Sequence, residues 1–301
     1  MHSRTGTLPA KPPFDFEKSL RFIEEFRLMS GEQGVSERAL TKAVMFDGRT
    51  VVFRVTAERG GAGLYYELFS DTLLGDEFAD RVANHISFFL SLQDDLASFY
   101  SIAKEDQKFY PIAKKLVGLH HVKFPTLFET TCWAILAQRM QMPVAHRAKL
   151  ALVEKFGGSL EVDGKTYRAF PDFEALKTAT VKDILAATGN RRSTERLSSL
   201  LSSFDDLDEG FLRTAPYEKA EERLKRIKGI GDWSAQFILF RGLGRIQRLY
   251  DNMKPLTKII AQVYGPETTL DEINAMYGQW SGYWSVYIRG SSMMYRDDTP
   301  D

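Results

Sequence analysis

A single cysteine, Cys132, occurs in 301 residues. One thiol excludes an intramolecular disulfide and fits a reducing, intracellular compartment. Net charge is missing too, because 40 Lys and Arg balance 40 Asp and Glu. Affinity for nucleic acid depends on phosphate neutralisation, so a neutral chain that binds it must localise its cations. No apolar stretch is long enough to span a bilayer, which argues against a membrane partner. Met1 to Pro13 carries basic residues and prolines without an apolar run. It is therefore not a secretory signal and reads as a flexible arm, 1–13. Only five histidines are present, and none shows metal-ligand spacing: His120 and His121 are adjacent, while His2, His85 and His146 are scattered. No Gly-x-x-x-x-Gly-Lys phosphate loop occurs, nor any internal repeat or low-complexity segment.

The remainder is ample for folding. A hydrophobic share of 44% suffices for substantial cores. Leu40 to Phe46, Val51 to Ala57 and Leu64 to Phe69 are rich in Val, Phe, Tyr and Thr, and Gly-containing turns separate them. Helical patterns flank them at Phe16 to Arg27 and Asp76 to Leu92. The reading is an α+β unit with an antiparallel sheet over residues 14–93. From Asp94 onward strand signals almost vanish. Helical stretches divided by short Gly, Pro or Asp loops predict an all-α region over 94–292, in two helical subdomains with a cleft between them. Residues 293–301 read as a polar tail.

The most informative stretch is Leu224-Lys225-Arg226-Ile227-Lys228-Gly229-Ile230-Gly231-Asp232-Trp233-Ser234-Ala235, followed by Asp251. Leu224 and Ile227 are apolar at i, i+3 on a first helix. Trp233, Phe237 and Phe240 recur at i, i+4, i+7 on a second. Gly229 and Gly231 permit φ > 0 and close approach. The first amides of the second helix have no intrahelical acceptor, and the helix dipole there favours an anion such as a DNA phosphate. A Gly-x-Gly turn alone is equally an ordinary helical hairpin with a glycine cap. Charge shifts the balance: Pro216 to Ile260 holds ten basic residues against five acids in a chain of zero net charge.

These residues resemble the helix-hairpin-helix superfamily of DNA base-excision glycosylases, in particular the alkylated-base branch of the 3-methyladenine DNA glycosylase II type. Further blocks agree: Phe124-Pro125-Thr126-Leu127-Phe128-Glu129, Trp133-Ala134-Ile135-Leu136-Ala137-Gln138-Arg139, and Trp280-Ser281-Gly282-Tyr283-Trp284. The likeness runs from about Ser91 to Arg289. It implies an essential aspartate after the hairpin, a place held by Asp251. Leu249-Tyr250 precede it here, where the family often has Pro or Val. The family's hairpin implies DNA-phosphate contacts at Lys228, Gly229, Ile230, Gly231, Trp233 and Ser234. Gln138 to Met142 resembles the segment that wedges into DNA, with Arg139 and Met140 as its candidates. An alkylated purine is electron-poor, so Phe124, Trp133, Trp233, Tyr283 and Trp284 are candidate walls of a base pocket. Trp280 and Trp284 share one helix face, so at least one of them belongs to a core.

The implied activity is base excision: hydrolysis of the N-glycosidic bond of an alkylated purine, after the nucleotide leaves the duplex. Asp251 would stabilise positive charge on the sugar or help deprotonate water. Relatives that also cut the strand use a lysine just after the turn, and Trp233 holds that position. The expectation is a monofunctional enzyme without lyase activity. Relatives with an iron–sulfur cluster need four cysteines, so no cofactor is expected. Hairpin carbonyls hold a monovalent cation in some of the family, but side chains here offer no metal site. The implied partner is double-stranded DNA carrying damaged bases, bound by a monomer. The alternative reading is a helix-hairpin-helix protein that binds damaged DNA without cleaving it.

Overall fold

The computed structural model describes residues 1–25, 33–36, 38–58, 63–249 and 254–294. An antiparallel sheet of five strands opens the chain: β1 (His2–Pro9), β2 (Gln33–Ser36), β3 (Ala39–Phe46), β4 (Arg49–Ala57) and β5 (Gly63–Ser70). Their order is β1-β5-β4-β3-β2. Asp47 and Gly48 join β3 to β4 with φ of 51° and 73°. Two consecutive left-handed residues give a turn whose twist matches the strands it joins. Helices α1 (Phe16–Glu25) and α2 (Asp76–Phe89) pack on the sheet through Leu20, Phe22 and Ile23, and through Phe78, Val82 and Ile86.

The N-terminal arm is corrected by this architecture. Residues 2–9 form β1, paired along its whole length with β5, from His2 opposite Ser70 to Pro9 opposite Gly63. Backbone pairing holds the segment despite its polar side chains, and Leu8 is buried in the core.

Helices follow: α3 (Ala97–Glu105), α4 (Tyr110–Lys115), α5 (Leu127–Leu136) and α6 (Met142–Phe156). The all-α expectation needs a second correction next. β6 (Ser159–Val162) and β7 (Lys165–Arg168) form a hairpin around Asp163 and Gly164, again with positive φ at both. Val162, Tyr167 and Ala169 pack on Ala43, Val52 and Phe69, so the hairpin covers the outer face of the sheet. Gly158 allows this approach, since a Cβ there would collide with the Thr50 hydroxyl.

The remaining helices are α7 (Phe173–Lys177), α8 (Val181–Thr188), α9 (Arg191–Leu201), α10 (Glu209–Thr214), α11 (Tyr217–Lys225), α12 (Asp232–Phe237), α13 (Lys254–Tyr264), α14 (Leu270–Tyr277) and α15 (Ser281–Met294). Two large cores result. One joins the sheet, α1 to α4 and the returning helices α13 to α15. The other gathers α5 to α12. The first unit therefore does not end at residue 93, because the C-terminal helices complete it. Asp106 fastens them: the hydroxyls of Tyr264 and Tyr277 both donate to its Oδ2, at 2.6 and 2.7 Å. Of the polar tail, residues 295–301 lie outside the described residues.

Between the cores runs the segment from Leu119 to Phe124. The Lys123 amide donates to the Phe89 carbonyl and the Phe124 amide to that of Arg241, at 2.9 and 2.8 Å. Lys123 is buried, and its ammonium is pushed down to about 8, chiefly by desolvation. Burial likewise holds the His121 imidazole well below its usual range, with the Arg241 and Lys123 charges adding to the effect.

Within the second core, Lys149 and Glu129 form a buried ion pair at 2.7 Å. Losing one partner strands a charge, whereas replacing both with apolar groups removes the cost of desolvation. Lys149→Ala should therefore destabilise the protein by roughly 3–5 kcal/mol, and Glu129→Leu with Lys149→Met by clearly less. Urea unfolding of the three proteins measures the difference; a double variant as weak as the single one would contradict it.

Candidate functional site

The hairpin forms where the sequence places it. Leu224, Ile227 and Ile230 are buried, so the turn is pinned by its apolar residues. The Ile227 amide donates to the Leu224 carbonyl and that of Ile230 to the Ile227 carbonyl, at 3.1 and 3.0 Å. Gly229 has φ of 99°, in the region that favours glycine. The Arg196 side chain lies against it, and a Cβ on Gly229 would stand 2.7 Å from Arg196 Cγ. Gly231 is different. Its backbone is extended, with φ of −98° and ψ of −173°, and an added Cβ would meet no atom within 4 Å. The fold demands glycine at 229 and leaves open space at 231.

After Gly231, α12 continues into a π-helical turn, Ile238–Gly242. Trp233, in the first turn of α12, is half-buried and touches both cores. Its ring stacks on Phe237 with centroids 5.4 Å apart and planes 25° apart.

A cleft of about 1020 Å³ opens against this hairpin. Its floor is Gly229 to Ser234 with Gln236; its walls are Ala137 to Arg139 after α5, and Arg196 of α9. The volume matches the upper end of the roughly 300–1,000 Å³ of ligand pockets. Of these residues Ala137 and Ile230 pack in the second core, and Trp233 touches both. The Gln138 carboxamide crosses it. Nε2 donates to the Gly229 carbonyl at 2.7 Å and to Ser234 Oγ at 2.8 Å, while Oε1 accepts from Arg196 Nη1.

The cleft rim is cationic. Burial makes the Arg196 guanidinium more acidic than usual, and the charges of Arg192 and Arg139 add to this. Among the described residues no carboxylate pairs with any of these three arginines, whereas Arg191 beside them pairs with Glu195 at 3.1 Å. Asp232, the acid nearest the turn, is held ionised by Lys225 Nζ at 2.8 Å, which keeps its carboxyl below the usual range.

The expected site residues divide clearly. Lys228 and Gly231 are exposed, Gly229 and Trp233 half-buried, and Ile230 and Ser234 buried, with the Ser234 hydroxyl turned to Gln138. Arg139 is exposed with a left-handed φ of 54°. Met140 is half-buried, and its sulfur accepts the Ser193 hydroxyl at 3.8 Å. The expected aromatic pocket is not assembled. Phe124 and Trp133 are buried in the second core, Tyr283 and Trp284 in the first, and none lines the cleft. The polar atoms of the last two have internal uses. Tyr283 donates to Asp94, and the Trp284 indole donates to Tyr264 Oη at 2.9 Å. Trp280, one helical turn before Trp284, stays half-buried, so Trp284 is the core member of that face. Asp251 lies outside the described residues. Sequence reading missed the roles of Gln138 and Arg196. Arg192 and Arg196 at i, i+4 just after the Gly189-Asn190 cap were a legible charge pattern on one helix face.

No family model matches the chain. The DNA-3-methyladenine glycosylase of Bacillus subtilis (strain 168) is 30% identical over 217 residues, covering 69% of this chain and 71% of that protein. A 3-methyladenine DNA glycosylase from Archaeoglobus fulgidus superposes with a TM-score of 0.77 at 20% identity, covering 97% of this chain and 99% of the other. An apo 8-oxoguanine glycosylase/lyase from Clostridium acetobutylicum gives 0.68 at 17% identity, covering 96% and 97%.

The two hairpin glycines should separate in stability. Gly229→Ala is expected to cost at least about 1–2 kcal/mol from its left-handed backbone. Gly231→Ala should stay within roughly 1 kcal/mol of the parent, since its backbone and surroundings accept a Cβ. Urea midpoints of the two variants test this ordering, and equal losses would refute it.

Proposed function

The chain belongs to the DNA-3-methyladenine glycosylase family, among the helix-hairpin-helix DNA glycosylases, and from that membership we propose a monofunctional enzyme that releases alkylated purines from DNA by hydrolysis. The observation that carries the proposal is the cleft itself, where an amide-presenting hairpin, a protruding arginine turn and an aromatic face meet.

Each part has a task. The exposed backbone at Gly231 takes a phosphate of the strand, together with Lys228. Arg139, Arg192 and Arg196 repel one another and are relieved by further phosphates. The target base leaves the stack, and Arg139 with Met140 fills the gap. The extruded base lies against Trp233, whose other face is occupied by Phe237. An electron-poor purine gains most from such an aromatic surface. Asp251 stabilises the cationic sugar as the N-glycosidic bond breaks, and water completes the hydrolysis.

Trp233 also argues against strand cleavage. A Schiff-base lyase needs an amine just beyond the turn, and an indole supplies none. Among hairpin carbonyls, those of Ile227 and Gly229 already accept one N–H each, from Ile230 and from Gln138. A monovalent cation would share their remaining lone pairs and add positive charge toward the phosphate. No step depends on it.

Purified protein should release free 3-methyladenine from methylated duplex and leave intact abasic strands. Asp251→Asn should reduce release at least about a hundredfold while retaining duplex binding. Full activity in that variant would remove Asp251 from the mechanism; tight binding of an abasic-site analogue without release of any base would instead favour a non-catalytic binder.

The arginine rim gives a separate test. Arg192→Ala should weaken binding to undamaged duplex and lower the slope of log K against log salt by about one. An unchanged slope would take the rim out of the DNA interface.

A further inference from the structure

We propose that Gln138 is a positioning residue that couples extrusion of the nucleotide to the hairpin's hold on the strand; this rests on the glycosylase reading above. Its carboxamide bonds three separate pieces of the cleft. Two N–H groups of Nε2 reach the Gly229 carbonyl before α12 and the Ser234 hydroxyl within it, at 2.7 and 2.8 Å. Oε1 receives Arg196, whose stem covers Gly229. A primary carboxamide presents two donors and an acceptor from one planar head, and asparagine would be one methylene short. Glutamate would set a charge against the Gly229 carbonyl, and leucine would leave three polar groups of a half-buried site unbonded.

The next residue gives the brace its meaning. Arg139 holds φ of 54°, a conformation that costs an arginine about 1 kcal/mol or more. Such strain persists only where the surroundings over-determine it. On one side Gln138 is tied to the hairpin; on the other, Met140 is held by Ser193. The exposed Arg139 side chain therefore projects from a turn fixed against the element that would grip the strand. A wedge needs such a reaction point. With it, binding energy gained at the hairpin opens the base stack instead of deforming the turn.

The test compares single-turnover base release by wild type and Gln138→Leu on two duplexes. In one the alkylated base is paired; in the other it faces an abasic-site analogue and is already unpaired. Extrusion costs a few kcal/mol and least for an unpaired base. Gln138→Leu should lose about tenfold or more on the paired duplex and about threefold or less on the unpaired one. It should also give a smaller rise in fluorescence from 2-aminopurine placed beside the lesion, a signal of unstacking independent of chemistry. Equal losses on both duplexes, or no loss on either, would overturn the proposal. If Gln138→Leu does not fold, Arg196→Met carries the same comparison: it removes the partner of Oε1 together with one rim charge, and loss of the charge lowers binding to both duplexes alike, so the difference between them still reports the brace. If wild type releases no base, the glycosylase reading fails, and the fluorescence difference alone decides the coupling.

Discussion

One backbone conformation governs the cleft. Gly229 at φ 99° reverses the chain between α11 and α12 while Ile227 and Ile230 stay buried on either side. With a side chain there, the turn would strain and Arg196 would have to move. Because the turn is tight, α12 begins at once, its first amides face the cleft, and Trp233 falls on the boundary between the two cores. The polar atoms around the turn then find one another. The Gly229 carbonyl, exposed by the reversal, is the group that Gln138 captures.

Around this turn the fold is built to keep two cores in register. Among the described residues the N-terminal sheet contributes none to the cleft walls, yet it is tied to the helical region on both faces. β6 and β7 cover its outer face, and the helices returning after residue 254 share its inner core. The segment from Leu119 to Phe124 is laced to α2 and to the π-helical turn by its backbone amides. Its buried Lys123 donates to the Phe88 carbonyl at 2.8 Å and packs on the Phe88 ring. A buried ammonium is tolerated only where oxygen acceptors surround it, which fixes this crossing point more strictly than apolar packing alone. The sheet therefore acts as scaffolding for the junction at which Trp233 stands.

What the sequence made legible was local chemistry. The strands beside Asp47-Gly48, the hairpin between Leu224 and Ala235, and α14 and α15 all announce themselves through turn residues and periodicity. β1 did not, because a polar edge strand has no apolar alternation, and only its pairing with β5 holds it. The hairpin at 159–168 was missed for its shortness, although Asp163-Gly164 is the same turn as Asp47-Gly48. The aromatic residues exposed a deeper limit. Helical periodicity places Phe124, Trp133, Tyr283 and Trp284 on apolar faces but cannot say whether a face meets a core or a cleft. Gln138 was invisible for another reason. Its partners lie 58 to 96 residues away, and nothing local marks a carboxamide as a brace.

Charge explains how a neutral chain can present a cationic site. Elsewhere several basic residues are matched: Arg213 with Glu209, Lys155 with Asp183 and Lys177 with Asp205 on the surface, and Lys149 with Glu129 inside. Exposed pairs of this kind add little stability, so their effect is chiefly to cancel field. At the cleft, among the described residues, no carboxylate matches Arg139, Arg192 or Arg196. Asp232 is the exception that sharpens the pattern, because an acid at the start of α12 would oppose an incoming phosphate. Lys225 lies 2.8 Å from it and cancels that charge. Positive field therefore remains at the rim beside Gly231, where the backbone is open. A uniformly basic protein would hold any stretch of DNA tightly; under the proposed function, a neutral one whose three rim guanidiniums have no carboxylate partner among the described residues would bind weakly everywhere and leave discrimination to what enters the cleft.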